Sequence, residues 1–183
     1  VRGNARDFDR WEAEGARGWD YASVLPYFRR AETRAAGGDE YRGDSGPLQT
    51  RYGTLSNPLH AAWLEAGRQA GYPATADING RQQEGFGRLD MTVGPDGRRC
   101  SAANAYLRPA MKRPNLSVRT RALATRVLFE GRRATGVEYR QGDDLRSITA
   151  RRELIVSAGP INSPKLLKLS GIGPAAELRE HGI

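Results

Sequence analysis

The residues best suited to chemistry lie near the end of the chain. Ser157, Ala158 and Gly159 follow the apolar run Leu154-Ile155-Val156 and precede Ser163-Pro164. A buried strand ending in small residues lets a ligand approach the main chain closely. A helix opening just beyond it offers unpaired N–H groups and a partial positive charge. Nucleotide cofactors bind at such edges of open α/β sheets. The same turn serves packing alone in many α/β proteins, so this pattern by itself leaves both readings open.

Other reactive side chains are few. His60 falls in the first turn of one expected helix and His181 near the end of another. A histidine at a helix end is usually solvated or stabilised by the dipole. Cys100 is the sole cysteine, which excludes an intrachain disulfide and any multi-cysteine metal site. It precedes a helix start, which can lower a thiol pKa, but with no second cysteine a packing role is favoured. No residue is nominated as catalytic and none as a metal ligand.

The elements that would position these residues follow from local patterns. Asp20 can cap a helix carrying Val24, Leu25, Tyr27 and Phe28, with Pro26 expected to kink it or split it into short turns. Residues 35–46 are rich in glycine and charge and read as a loop. Asn57-Pro58 starts a helix that Gly71 stops. One strand is expected around 87–93, then a turn at Pro95-Asp96-Gly97 and a short helix capped by Ser101. After Pro114, residues 116–120, 124–130, 134–140 and 145–149 read as consecutive strands punctuated at Gly131 and 141–144. Residues 154–158 are apolar on both faces, as in a strand inside a sheet. Ser163 is expected to cap a helix with Pro164 in its first position, ending at Gly171, and Pro174 opens a last helix that runs to Gly182.

The chain has 183 residues, suited to one domain or parts of two. At this size it could bury roughly 70% of its unfolded surface. Its net charge of +8 comes almost entirely from arginine. Arginines are spread from Arg2 to Arg179 among acidic residues, which reads as a solvated surface, since nucleic-acid binding needs positive charge gathered on one face. A non-catalytic basic module binding nucleic acid or an acidic partner is the rival reading. No apolar run approaches the ~20 residues of a membrane span. The start at Val1 and the stop at Ile183, just past Gly182, are expected to be cuts through a longer protein, with a processed chain as the alternative.

The run from Gly159 to Gly173, GPINSPKLLKLSGIG, resembles the second signature of the glucose–methanol–choline (GMC) oxidoreductases, including the first Gly, Ser163-Pro164, the Leu166-Leu167 pair and the closing Ser-Gly-Ile-Gly. Val1 to Asp9 resembles the tail of the first signature. Gly46-Pro47-Leu48, Gly85-Phe86-Gly87, Arg99 to Ala103 and Asn115 to Val118 are similar to choline-dehydrogenase-like members. The resemblance covers essentially the whole chain.

The resemblance implies an α/β chain of mixed α+β character, holding part of an FAD-binding domain of the glutathione-reductase type and part of a substrate domain with an antiparallel sheet. Residues 1–45 would be a lid and connector beside the flavin, 46–113 part of the substrate domain, and 114–183 part of the FAD-binding domain. Members oxidise an alcohol by removing its hydroxyl proton and passing a hydride to the flavin. The Gly-x-Gly-x-x-Gly loop and the catalytic histidine segment lie outside these residues, so this segment alone is expected to be inactive. Carried over as cofactor contacts are Ala124 by its backbone, Ser157, Ala158 and Gly159 along the cofactor, and Arg2, Gly3 and Asn4 beside the flavin, where a structural turn is the alternative. Pro160 stands where Ala is common and removes one N–H donor. The implied substrate is a small primary alcohol, choline-like, with FAD as cofactor. The implied location is cytoplasmic, with membrane association through the electron acceptor as the alternative.

Overall fold

A computed structural model describes every residue except Leu55. The chain divides into two compact units, Val1–Leu116 and Ser117–Ile183. Helices and two small sheets alternate along it, in keeping with the mixed α/β class.

The first unit is built on an aromatic cluster and a three-stranded sheet. Helix α1 (Ala5–Ala13) is capped by Asn4, whose side chain accepts from the Arg6 N–H. Helix α2 (Tyr21–Ala31) is capped by Asp20, which accepts from the Ser23 N–H. Phe8, buried on α1, packs against Trp11 (ring centroids 5.2 Å), Phe28 (5.7 Å) and Tyr21 (6.1 Å). Contacts at both ends of α2 explain why Pro26 does not divide it. The proline removes one helical hydrogen bond, and Tyr21 and Phe28 hold the two halves on one ring.

Strands β1 (Glu32–Arg34) and β2 (Leu48–Tyr52) pair in parallel, and β3 (Asp90–Met91) joins β2 antiparallel. The expected strand over 87–93 is thus reduced to two residues. Between β1 and β2 the chain loops back so tightly that a Cβ on Gly43 would lie 1.9 Å from the Arg29 carbonyl oxygen. Only glycine permits that crossing. Helix α3 (Pro58–Gln69) begins with the Asn57 cap and Pro58 as expected. Ser101 accepts from the Asn104 N–H at 3.3 Å, but the turn that follows is π-helical over Ala103–Leu107 before α4 (Arg108–Ala110).

In the second unit, β4 (Leu123–Glu130), β5 (Arg133–Gln141) and β6 (Asp144–Thr149) form an antiparallel meander. Helix α5 (Gly159–Leu169) packs on β4, and α6 (Ala175–Glu180) follows. Val127, Tyr139, Leu166 and Leu178 are its buried apolar residues.

Three expectations are corrected here. Residues 116–120 form no strand, and on the edge of β4 away from β5 the Val127 N–H donates to Ser170 Oγ at 2.8 Å. Residues 154–158 are not a buried strand. They lie outside both sheets, and Ile155 is 78% exposed. A segment apolar on both faces needs neighbours on both edges, and the meander of β4, β5 and β6 does not supply them. Helix α5 starts at Gly159, five residues after Leu154 and four before Ser163. Pro160 meets the first-turn rule as well as Pro164 does, and the longer helix forms. Ser163 Oγ then accepts from the Ala158 N–H at 3.0 Å instead of capping its own turn.

Candidate functional site

The residues expected to face a cofactor fall in both units. In the second unit, Ser157 and Ala158 are exposed and lead into α5. Gly159 adopts φ +89°, and the space where a Cβ would stand is open. The helix has no side-chain cap, so the N–H groups of its first turn lack helical acceptors. The Ala158 N–H is committed to Ser163, and Pro160 has none to offer. What this turn presents is therefore the main chain of Gly159 and Ile161, beside small side chains, at the positive end of an eleven-residue helix. That arrangement suits an anionic or strongly polar ligand group.

Ala124 lies on β4 at an irregularity. It pairs with Tyr139, yet Arg126 pairs with Glu138, so Thr125 is an extra residue in the ladder. A bulge frees main-chain groups and re-aims them. Thr125 Oγ1 donates to Glu138 at 2.8 Å, and Arg126 contacts the same carboxylate at 3.0 Å. Hydrogen bonding from Thr125 holds the Glu138 carboxyl below its usual range. Helix α5 and β4 join through Ser170 and Val127. Gly159 stands one helix length, about 16 Å, from that joint.

In the first unit, Arg2, Gly3 and Asn4 each have a structural task. Asn4 caps α1. A Cβ on Gly3 would come within 2.9 Å of the Phe8 ring, and the Gly3 carbonyl accepts from Gln83 Nε2 at 3.1 Å. Arg2 enters a buried cluster of charges that local sequence patterns do not show. Its guanidinium meets Glu32 at 2.8 Å, donates to the Tyr41 carbonyl and lies over the Phe28 ring at 5.1 Å.

Arg42 is the centre of that cluster, its side chain 1% exposed. It donates from Nε to Glu32 Oε2 at 2.9 Å and from Nη2 to Oε1 at 2.7 Å. Its Nη1 reaches both Asp77 oxygens at 2.7 Å. Asp90 lies 2.7 Å from Nη2, a close ion pair whose angles fall outside hydrogen-bond geometry. Arg34 stands 3.6 Å from both Asp77 and Asp90. Three arginines and three carboxylates thus neutralise one another. Burial disfavours the charged form of Glu32, but hydrogen bonds from Arg42 and Thr50 and the charges of Arg42 and Arg2 outweigh it and hold the carboxyl at about 2. Burial likewise lowers Arg2 despite Glu32, whereas hydrogen bonds to Glu32 and Asp77 and the close ion pair with Asp90 more than offset burial at Arg42 and raise it. The reading of the arginines as solvated surface fails for these three.

His60 lines an apolar groove of about 600 Å³ with Trp63, Leu64, Phe86, Leu89 and Met91. Cys100 takes a packing position, its sulfur accepting from the Gln49 N–H at 3.3 Å. No cluster of three metal-ligating side chains occurs among the described residues.

The sequence and the two units together place the chain in the GMC oxidoreductase family, whose N-terminal domain model matches residues 1–182. The chain belongs to that family. Over all 183 residues it is 55% identical to oxygen-dependent choline dehydrogenase of Brucella anthropi, covering 33% of that protein. It is equally 55% identical to the mitochondrial choline dehydrogenase of Homo sapiens, covering 31%. The chain therefore spans about a third of the length of these relatives. Its backbone superposes on pyridoxine 4-oxidase from Mesorbium loti with a TM-score of 0.89 at 32% identity, covering the whole of this chain and 36% of that one. An FAD-dependent oxidoreductase from Chaetomium thermophilum gives 0.88 at 32% identity over 100% and 34% of the two chains. No helix among the described residues is long and apolar enough to cross a membrane.

Proposed function

We propose that the chain is an internal part of an FAD-dependent oxidoreductase acting on the CH–OH group of a primary alcohol, choline-like in nature. The observation that carries this is agreement along the whole chain, in sequence with choline dehydrogenases and in backbone with flavin enzymes. Residues 46–113 serve as part of the substrate domain, 114–183 as part of the FAD-binding domain, and 1–45 as the lid and connector beside the flavin. Bound FAD supplies a hydride acceptor. With FAD bound, a primary alcohol would give up its carbinol hydrogen as the hydride and its hydroxyl proton to a base outside this segment, leaving an aldehyde.

Within this chain, the main chain around Gly159, with Ser157 and Ala158, lies along the cofactor. The uncapped, exposed helix start and the open space at Gly159 fit such a neighbour. The bulge at Thr125 leaves main-chain groups beside Ala124 available for the adenine side. Arg2, Gly3 and Asn4 border the flavin through the main chain, since the Arg2 and Asn4 side chains are engaged elsewhere and Gly3 has none. The protein acts in the cytoplasm or at a membrane that holds its electron acceptor. Arg2, Arg34 and Arg42 are buried against three carboxylates and are not free to contact phosphates, so a nucleic-acid module would have to draw its net +8 from the arginines spread along the rest of the chain.

The test is anaerobic flavin bleaching in the full-length protein with a panel of alcohols. A primary alcohol bearing a cationic group is expected to bleach it. Bound flavin that no alcohol reduces would overturn the reading. The 183-residue chain by itself is expected to stay colourless and inert.

A further inference from the structure

We infer that Arg42 is a positioning residue for the Arg2–Asn4 segment, which it holds at both the side chain and the main chain by way of Glu32 and Asp77. The inference rests on the reading of that segment as flavin-side. It goes further by naming what fixes it there.

The two arms start from one guanidinium. On the first, Arg42 grips both oxygens of Glu32, and Glu32 Oε2 also takes Arg2 Nη2 at 2.8 Å. On the second, Arg42 Nη1 grips Asp77, Asp77 Oδ1 accepts from the Asn79 N–H at 2.9 Å, and Asn79 Oδ1 accepts from the Arg2 N–H at 2.7 Å. Arg2 is thus clamped at its tip and at its backbone by groups that Arg42 ties together. Tyr41, adjacent to Arg42, adds its carbonyl to the tip. Gln83 continues the clamp along the segment, donating to the Gly3 carbonyl at 3.1 Å and accepting from the Ala5 N–H at 3.0 Å.

The chemistry requires arginine at position 42. Its planar fork offers five donors in fixed directions, so one side chain can orient two carboxylates at once; lysine offers a single point charge. Filling this volume with apolar side chains would stabilise a fold at least as well, because buried ion pairs rarely exceed their desolvation cost. What the charged cluster adds over an apolar core is a defined orientation of Arg2 and of the main chain beyond it.

The test uses the full-length protein in both flavin-free and flavin-loaded forms, with Arg42→Lys, Asn79→Ala and Arg42→Lys/Asn79→Ala. Arg68→Lys, in the exposed pair with Glu65, is the control. Hydrogen exchange of the Arg2–Ala5 amides in the flavin-free protein reads the hold directly. The visible circular dichroism of bound flavin, and the split between kcat and KM, read its consequence. Asn79→Ala, which cuts the second arm, is expected to speed exchange roughly tenfold, the effect of one lost hydrogen bond; Arg42→Lys, which loosens both arms, should speed it at least as much, and the double variant no more than Arg42→Lys alone. The flavin band should shift and kcat should fall with KM nearly unchanged. Should Arg42→Lys fail to fold, Asp77→Asn, which weakens the Arg42 grip while keeping an acceptor for the Asn79 N–H, carries the test. Exchange within twofold of the parent in the folded variants overturns Arg42 as a positioning residue. Faster exchange with an unchanged flavin band supports the hold and overturns the flavin-side reading of Arg2–Asn4.

Discussion

Arg42 and Glu32 are joined by two parallel hydrogen bonds, Nε to Oε2 at 2.9 Å and Nη2 to Oε1 at 2.7 Å, with both side chains buried. The pair lies where β1 leaves α2, so it fixes the loop of residues 35–46 against the sheet. Replacing Arg42 with Met leaves Glu32, Asp77 and Asp90 buried without their main partner. Removing one side of a buried pair costs about 3–5 kcal/mol. Urea unfolding of Arg42→Met should show a loss of that size, and Arg68→Met, in an exposed pair, a loss of less than about 1 kcal/mol.

The same pair gives the fold an acid dependence. Glu32 is held at about 2, below its ordinary carboxylate value of 4.5. A depressed folded pKa contributes stability that is complete above the unfolded value and is lost as pH falls through the folded one. Stability should therefore decline between about pH 4.5 and 2, by at most about 3 kcal/mol from this group. Glu32→Gln should be less stable at pH 7 and should show a shallower decline over that window. Unfolding free energies measured across it check both slopes.

How much of this was legible depends on how far apart the partners lie. Asp20, Asn57-Pro58, Gly131 and Gly142 announce helix starts and hairpin turns because the groups they satisfy are one to four residues away. The β4, β5 and β6 meander is read easily for the same reason. The short strands β1 and β2 were not, since they pair in parallel across a loop and carry buried charge where apolar side chains would mark a strand. Arg42 is invisible locally, because its partners Glu32 and Asp77 stand 10 and 35 residues away. The Gly159 turn is legible as a turn of small residues leading into a helix, but where that helix begins is not, because two Pro residues in Gly159–Pro164 each satisfy the rule for a helix start.

Gly43 should be intolerant for a steric reason. A Cβ there would meet the Arg29 carbonyl oxygen at 1.9 Å and that of Glu32 at 2.4 Å. Both are main-chain atoms, so nothing flexible can yield. Gly43→Ala is expected to cost at least about 3 kcal/mol, beyond ordinary overpacking. Gly37→Ala provides the contrast. Gly37 has φ +93° with open space around it, and alanine there should cost only about 1–2 kcal/mol of backbone strain. Equal melting temperatures for the two variants would refute the argument.

Ser170 links the family signature to the sheet. Its hydroxyl oxygen accepts from the Val127 N–H at 2.8 Å and its proton goes to the Leu166 carbonyl at 2.6 Å. Ser170→Ala leaves the Val127 N–H on the β4 edge without its acceptor, which costs about 1–3 kcal/mol. Ser170→Thr keeps the hydroxyl and should recover most of that. Because α5 carries Gly159 at its other end, the alanine variant of the full-length protein should also release flavin at a lower temperature than the threonine variant, as followed by flavin fluorescence.

The run Leu154–Ala158 should govern the behaviour of the 183-residue chain in solution. Ile155 is 78% exposed and Ile161, at the start of α5, is exposed to the same extent. An apolar segment whose residues 154–157 pair with neither sheet is a template for pairing with another copy. The isolated chain should therefore self-associate with rising concentration, and Ile155→Asp should shift it towards monomer. In the full-length protein the opposite is expected. If residues 154–158 there form an inner strand, Ile155→Asp would bury an unpaired carboxylate and abolish folding. Sedimentation velocity on the short chain and expression of the long one separate the two cases. An aspartate tolerated in both would show that this segment is solvent-facing in the whole enzyme, and the assignment of residues 114–183 to a cofactor-binding sheet would fall with it.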